Sequence, residues 1–395
     1  MVRIRNRMKL ITLWLGLVLL WLASVIGVDG DVTWENVTPS SAPLPRRAAG
    51  MAYDSESDRI ILFSRRDISL PTDFRYGDTW TYDVDTNTWA NVTPAVSPPP
   101  RGTHAAFKYD SESDRAVFFG GVKTVDPVEF YGDTWAYDCN LNVWENKTPV
   151  VSPRPCTHHA WAYDSESDRF ILYGGMWADS TTPSGISTQN MTWAYDYNSN
   201  TWTNMNPAIN PDQLHGVRMD YDNESDRIIL FGGKFHSSSF EEQRDETWSY
   251  DYNSNTWTNM NPSVAPPRRN RHSLIYHAGW DRIVLFGGDR DNPSMYYSDT
   301  WVYDYNTNTW AELSPDAHPS SRVYGSMAYD SDSEKIVLFG GVNAAVYVFG
   351  DTWILPGTLV TTPPPPIPGF PMLAVALGMA FALGVSLVTR RRYNK

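Results

Sequence analysis

An arginine stands just before the first strand of five of the six units into which this sequence divides: Arg46 or Arg47, Arg101, Arg154, Arg268 or Arg271, and Arg322. Gln213 and His215 take that place in the fourth unit. A guanidinium offers a planar fork of donors that fits a carboxylate in two parallel hydrogen bonds, so a ring of them would suit a carboxylate or an acidic sugar. Their alternative role is to bridge loops of adjacent units, and their periodicity favours that role. The segments that vary most between units carry aromatics: Trp177 in Met176-Trp177-Ala178-Asp179-Ser180, Phe235 in Lys234-Phe235-His236-Ser237, and Tyr296 and Tyr297 after Asn292-Pro293-Ser294-Met295. Aromatic side chains on loops of a rigid scaffold commonly build binding surfaces. These arginines and aromatics are the ligand-binding candidates.

Other chemistry is weaker in the sequence. The turns Asp-Ser-Glu-Ser-Asp at Asp54, Asp110 and Asp164, with variants at Asp222 and Asp330, and Asp83-Val84-Asp85-Thr86-Asn87 hold enough oxygens to ligate Ca²⁺. No loop has the turn Gly and closing Glu of an EF-hand, and Asp, Asn and Ser make such turns by bonding their own backbone. His104, His158 and His272 fall in near-equivalent places of different units, too far apart to share one metal, and His158 and His159 alternate to opposite sides of a strand. Cys139 in a turn and Cys156 at a strand start are expected on opposite faces, which argues against a disulfide. Gly-x-Ser-x-Gly, phosphate-loop and metalloprotease motifs are absent. No catalytic residue, cofactor or metal is therefore expected. Sequons stand at Asn36, Asn91, Asn146, Asn190 and Asn223, the first three at one position of the unit; they are the glycosylation candidates.

The units show themselves through tryptophan. Aligned on Thr-Trp, one column contains Trp80, Trp135, Trp193, Trp248, Trp301 and Trp353, and a second contains Trp34, Trp89, Trp144, Trp202, Trp257 and Trp310. Twelve of the 17 Trp thus belong to a repeat of 52 to 58 residues. Each unit reads as four strands: Ala105–Tyr109, the apolar run Arg115–Phe119, Thr134–Tyr137 and a last strand around Trp144 in the second unit. Four-stranded sheets at this period must bury both faces against their neighbours, which is the arrangement of propeller blades.

Phe-Gly-Gly or a close relative follows the second strand at Phe119, Tyr173, Phe231, Phe286 and Phe339, and a Tyr precedes a Trp as in Tyr137 and Trp144, Tyr82 and Trp89, Tyr195 and Trp202, Tyr250 and Trp257, and Tyr303 and Trp310. In these features residues 31–356 resemble kelch repeats. The resemblance implies an all-β, six-bladed propeller and a scaffold used as a binding platform. The first unit departs from it with Ser64-Arg65 for Gly-Gly, and the fifth replaces the acidic turn by His277-Ala278-Gly279-Trp280. Some kelch propellers are copper-radical oxidases, but the two cysteines offer no Tyr–Cys cluster for that chemistry. The last unit ends at Thr352-Trp353-Ile354-Leu355-Pro356 without a fourth strand, and Val32-Thr33-Trp34-Glu35-Asn36-Val37 is a spare one. Donated to the last blade, it closes the ring and leaves no open edge.

The two ends address a membrane. Residues 1–28 read as a signal peptide, with an uncleaved anchor as the alternative. A Pro-rich linker at 357–368 favours stiff polyproline II. It precedes an apolar span at 369–389 and a basic tail at 390–395, which by the positive-inside rule stays in the cytosol. The Pro368-Gly369-Phe370 start, apolar stretch and arginine cluster also resemble the tail of archaeal surface proteins cut by archaeosortase. Eight of the 32 basic residues lie in these terminal segments, which hold no acid, leaving 24 against 45 acidic ones between them. So acidic a domain repels phosphate backbones, and nucleic acid is excluded as a partner. The expectation is an extracellular, membrane-anchored kelch propeller that binds or adheres to a protein or glycan. The alternative is a carbohydrate-active enzyme of the sialic-acid epimerase kind, which would need an acid/base pair in the channel.

Overall fold

Alternating and β-branched segments separated by Asp-, Asn- and Gly-rich turns fold here as short antiparallel strands. The computed structural model describes residues 32–67, 74–102, 106–125, 127–182, 185–236, 241–291 and 294–357. The signal segment, the linker beyond Gly357, the apolar span at 369–389, the basic tail and His104 lie outside the described residues. Among the described residues no helix is found.

Blade 1 consists of Gly50–Asp54, Arg59–Asp67, Phe74–Asp83 and Thr88–Asn91, hydrogen-bonded in that order. Blades 2 to 5 repeat the pattern, starting from Phe107–Asp110, Ala160–Asp164, Arg218–Asp222 and Ser273–His277. Blade 6 runs Ser326–Asp330, Lys335–Phe339 and Thr352–Leu355, and its fourth strand is Glu35–Asn36. Glu35 pairs with Ile354 and Asn36 with Trp353, so the N-terminal strand closes the ring as the sequence implies. First strands touch around a full circle, blade 1 against blade 2 and so on until blade 6 meets blade 1.

The second strand of each blade is covered on both faces. Ile60, Ile61, Leu62 and Phe63 are all 0% exposed, and each such side chain contributes about 1.5–3 kcal/mol of burial. The two Trp columns join neighbouring blades. Each fourth-strand indole donates to the Thr hydroxyl of the preceding blade's Thr-Trp pair: Trp89 to Thr352, Trp144 to Thr79, Trp202 to Thr134, Trp257 to Thr192 and Trp310 to Thr247, at 2.9–3.1 Å. Trp34 does the same with Thr300 at 3.0 Å, so the closing strand repeats the contact made by the other five.

The Gly-Gly column exists because the next blade's entry segment passes close by. Gly340 has φ +69° and a Cβ there would lie 2.4 Å from the Arg46 carbonyl. Ser64 takes the left-handed conformation in blade 1, φ 74°, and its hydroxyl bonds the Arg101 carbonyl.

The acidic turns serve the backbone. Asp54 Oδ1 accepts from the amides of Glu56 and Ser57 at 3.0 and 3.1 Å, and Asp110, Asp164 and Asp222 repeat the arrangement. The divergent turn of blade 5 has a different task. Trp280 donates its indole N–H to the Gly357 carbonyl at 2.6 Å, and His277 stacks on Trp280 with centroids 4.1 Å apart. That pair holds the chain where it leaves blade 6.

Candidate functional site

Antiparallel pairing puts the loops between second and third strands on the same face as the segments that enter each blade. Bridges join the two sets directly, Thr157 to Met176, Asn270 to Asp289 and Val323 to Val342. The arginines and the variable aromatics therefore share one face. Most of the arginine donors there are already taken.

Arg46, Arg101 and Arg322 are at most 2% exposed, and each guanidinium grips an aspartate with two nitrogens: Asp78, Asp133 and Asp351. One nitrogen also donates to the carbonyl at the end of the second strand, Ser64, Gly120 or Gly340. Meanwhile the arginine's own carbonyl accepts from the preceding blade, as Arg46 does from the Gly341 amide at 2.9 Å. Each of these arginines thus ties two blades together, and its fork is not open to a ligand.

In blade 5 this role falls to Arg269, 0% exposed and paired with Asp299 at 2.6 and 2.7 Å. Arg268 beside it is exposed and reaches Glu242 at 3.3 Å. Arg271 binds Asp289 through Nε at 2.9 Å and through Nη2, and Asp291 at 3.4 Å. Arg154 lies two residues ahead of the equivalent position, which is Cys156, and stacks over Trp177 at 4.4 Å. Leu214 takes the place in blade 4. The missed signal is a correlation inside the sequence: the residue before Thr-Trp is Asp in the four blades that have the arginine, but Met191 and Glu246 in the two that lack it.

The aromatics divide in the same way. Tyr297 is buried under Arg269, centroid 4.1 Å from the guanidinium. Tyr296 is half-buried against the cluster of Ala48, Val323, Tyr324, Val342 and Val348. Phe235 is half-buried beneath Arg244 at 5.6 Å, and Arg244 pairs with Asp212 and Glu242 at 2.7 and 2.5 Å. Trp177 is half-buried. Beside them on blades 5 and 6, Met295, Val346 and Tyr347 are 47%, 51% and 62% exposed.

At the centre of this face a hydrogen-bonded collar runs through five of the six blades along the mouth of the channel. Ala48 donates its amide to the Tyr324 carbonyl, Tyr324 to Arg271, Arg271 to Gly216 and Gly216 to His158, at 2.8–3.1 Å. All five have φ between 57° and 63°, a left-handed conformation that costs about 1–3 kcal/mol for a non-glycine residue. His158 reaches the Tyr324 hydroxyl at 3.2 Å. Below the collar His159 and His272 stand at equivalent positions immediately before the first strands of blades 3 and 5, one residue on from the His158 position. Burial, then the nearby Arg218, pushes His159 down to about 3, and the same causes hold His272 well below the usual imidazole range. No cluster of metal-ligating side chains occurs among the described residues.

Two channel carboxylates bear on the acid/base alternative. Asp220 accepts from Lys108 at 2.6 Å and from the Tyr276 amide at 2.8 Å, and Asp289 is bound by Arg271. Both are engaged by internal donors. Cys139 and Cys156 are free thiols, and burial pushes them up to about 11 and about 12. Of the sequons, Asn36, Asn91, Asn146 and Asn223 are exposed and Asn190 is half-exposed. At Asn36, Asn91 and Asn146 the side-chain oxygen accepts from the amide of the Thr two residues on, so the motif also caps the fourth strand.

Six four-stranded sheets, closed by a donated strand and carrying varied hairpins on one face, define a propeller of the kelch type. The chain belongs to the kelch-repeat family, since the KLHDC2/KLHL20/DRC7 Kelch-repeats domain matches residues 28–219 and 165–362. It is 24% identical to the dynein alpha chain of the flagellar outer arm of Chlamydomonas reinhardtii, over 76% of this chain and 7% of that protein. It is 22% identical to Mei4-dependent protein 6 of Schizosaccharomyces pombe, over 75% of this chain and 45% of the relative. Human host cell factor 1 is also 22% identical, over 65% of this chain and 12% of its own length. The chain spans less than half the length of each of these relatives.

Proposed function

We propose that this protein is a binding module that takes a protein ligand on its loop-bearing face, displayed outside the cell and held at a membrane by its C-terminal segment. The observation that carries the reading is the placement of Met295, Val346 and Tyr347 on adjacent blades, largely exposed, on the face where Trp177 and Phe235 are half-exposed. Apolar side chains grouped in this way on a rigid body mark interaction sites. Family membership supports the reading through the scaffold. The basic start, first apolar run, second apolar run and arginine cluster support the outward orientation.

Photo-crosslinking residues placed at Trp177, Met295 and Tyr347 of the full chain on intact cells test the face. Defined protein adducts from these sites, and none from Glu56, Glu112 and Glu166 in the turns at the opposite ends of the strands, are the expected outcome. Adducts only from the turns would move the site to the other face. Labelled glycans captured with no protein adduct would make the ligand a glycan. Protease added to intact cells should release propeller fragments; a fully protected propeller would contradict the outward orientation.

A further inference from the structure

The column at the start of the first strands, opposite the end of the second strands, is small in four blades, Gly50, Ala160, Ser273 and Ser326, and the residue just ahead of the first strand of blade 2 is Ala106. In blade 4 the column holds Arg218, which pairs in register with Phe231. Its side chain enters a cavity of about 20 Å³ in the channel, also lined by Lys108, His159 and Ser273. Arg218 is 6% exposed, and its Nη1 donates to the Val217 carbonyl at 2.9 Å. Its Nε and Nη2 find no partner among the described residues, and neither does His159 Nε2.

The charges of the cavity do not cancel locally. Lys108 is matched by Asp220, whose second oxygen is held by the Tyr276 amide. That leaves the Arg218 guanidinium buried with no carboxylate against it among the described residues. An uncompensated buried cation is costly, and proteins meet the cost with a counter-charge. Even so, burial lowers Arg218 only to about 10, so it is still charged at neutral pH. His159 is neutral there and can present Nε2–H to the cavity, adding a donor without adding charge. The volume is on the scale of one or two water molecules, too little for a sugar or an amino acid.

We propose that the centre of the propeller is a binding site for a single small anion of halide size, seated on Nε and Nη2 of Arg218 with His159 as a further donor. It lies below the collar of the loop-bearing face and stands independently of the ligand proposed for that face. The anion neutralises the one charge that breaks the small-residue column, and it binds the native chain in preference to the unfolded one.

Bromide is the probe. Crystals of the full chain grown in sodium bromide should show an anomalous peak within hydrogen-bonding distance of Arg218 Nη2. The unfolding temperature in sodium chloride should exceed that in sodium gluconate at equal ionic strength, by an increment that grows with the logarithm of chloride once the site is saturating. Arg218→Met should abolish the difference between the two salts. Bromide peaks confined to surface lysines, or identical melting in chloride and gluconate for the native chain, would overturn the proposal. Both measurements use the native chain, so they decide the matter even where the variant does not fold.

Discussion

Arginine geometry decides what the face can do. A planar fork that could hold a ligand carboxylate instead holds Asp78, Asp133, Asp299 and Asp351 in four blades. Arg269 and Arg268 provide a matched test, being adjacent but 0% and 45% exposed. Arg269→Ala strands Asp299 without its cation and is expected to destabilise the fold by about 3–5 kcal/mol. Arg268→Ala loses only an exposed pair and is expected to cost under about 1 kcal/mol. Urea unfolding of the two variants checks this, and equal losses would refute the register. The sequence showed that arginines recur here, but in blade 5 it pointed to Arg268 or Arg271 where the buried one is Arg269. The Pro-rich entry segments have no alternation to fix a register, and Arg154 slips two residues from its expected partner position for that reason. Arg218 was missed although the signal was available, a long cation in a column of Gly, Ala and Ser.

Elements show the opposite balance. The Trp columns, the Gly-Gly pairs and the acidic turns were legible because each answers a requirement that recurs around the ring, with Ser64 in place of the first glycine in blade 1 and His277-Ala278-Gly279-Trp280 in place of the acidic turn in blade 5. The donated strand was legible from a count of fourth strands. Its equivalence to the others is testable, since Thr300→Val removes the acceptor of buried Trp34 and Thr134→Val that of buried Trp202. Each is expected to cost about 1–3 kcal/mol for a stranded buried donor. If Thr134→Val destabilises while Thr300→Val does not, the N-terminal strand contributes less than the account requires. The turn of blade 5 makes a separate, pH-dependent prediction. Burial pushes His277 down to about 4, and its Nδ1 accepts from the Trp280 amide at 3.2 Å. An unfolded imidazole titrates near 6.5, so between about pH 6.5 and about pH 4 the unfolded chain takes up a proton that the native one refuses. Stability is therefore full above that window and falls as pH falls through it. Melting temperatures of His277→Gln should decline less between pH 7 and pH 4.5 than those of the native chain. An unchanged decline would show that His277 does not carry the effect.

For the whole molecule, function depends on closure. Loops from different blades present one surface only if the sheets form a rigid ring, and the ring is rigid only if blade 6 receives its fourth strand from residues 35–36. The proposed binding face, the collar and the anion cavity all depend on that. The most direct measurement is a disulfide across the seam, with Asn36→Cys and Trp353→Cys placed at paired positions. Cys139 and Cys156 interfere little, because thiols held near 11 and 12 present almost no thiolate at neutral pH. Mild oxidation of the full chain should give an intramolecular bond in most molecules, seen as a shift on a non-reducing gel. It should also raise the unfolding temperature, since a cross-link spanning nearly the whole domain is worth about 5 kcal/mol in chain entropy. Failure to form the bond under native conditions, or formation only between molecules, would contradict the closed ring.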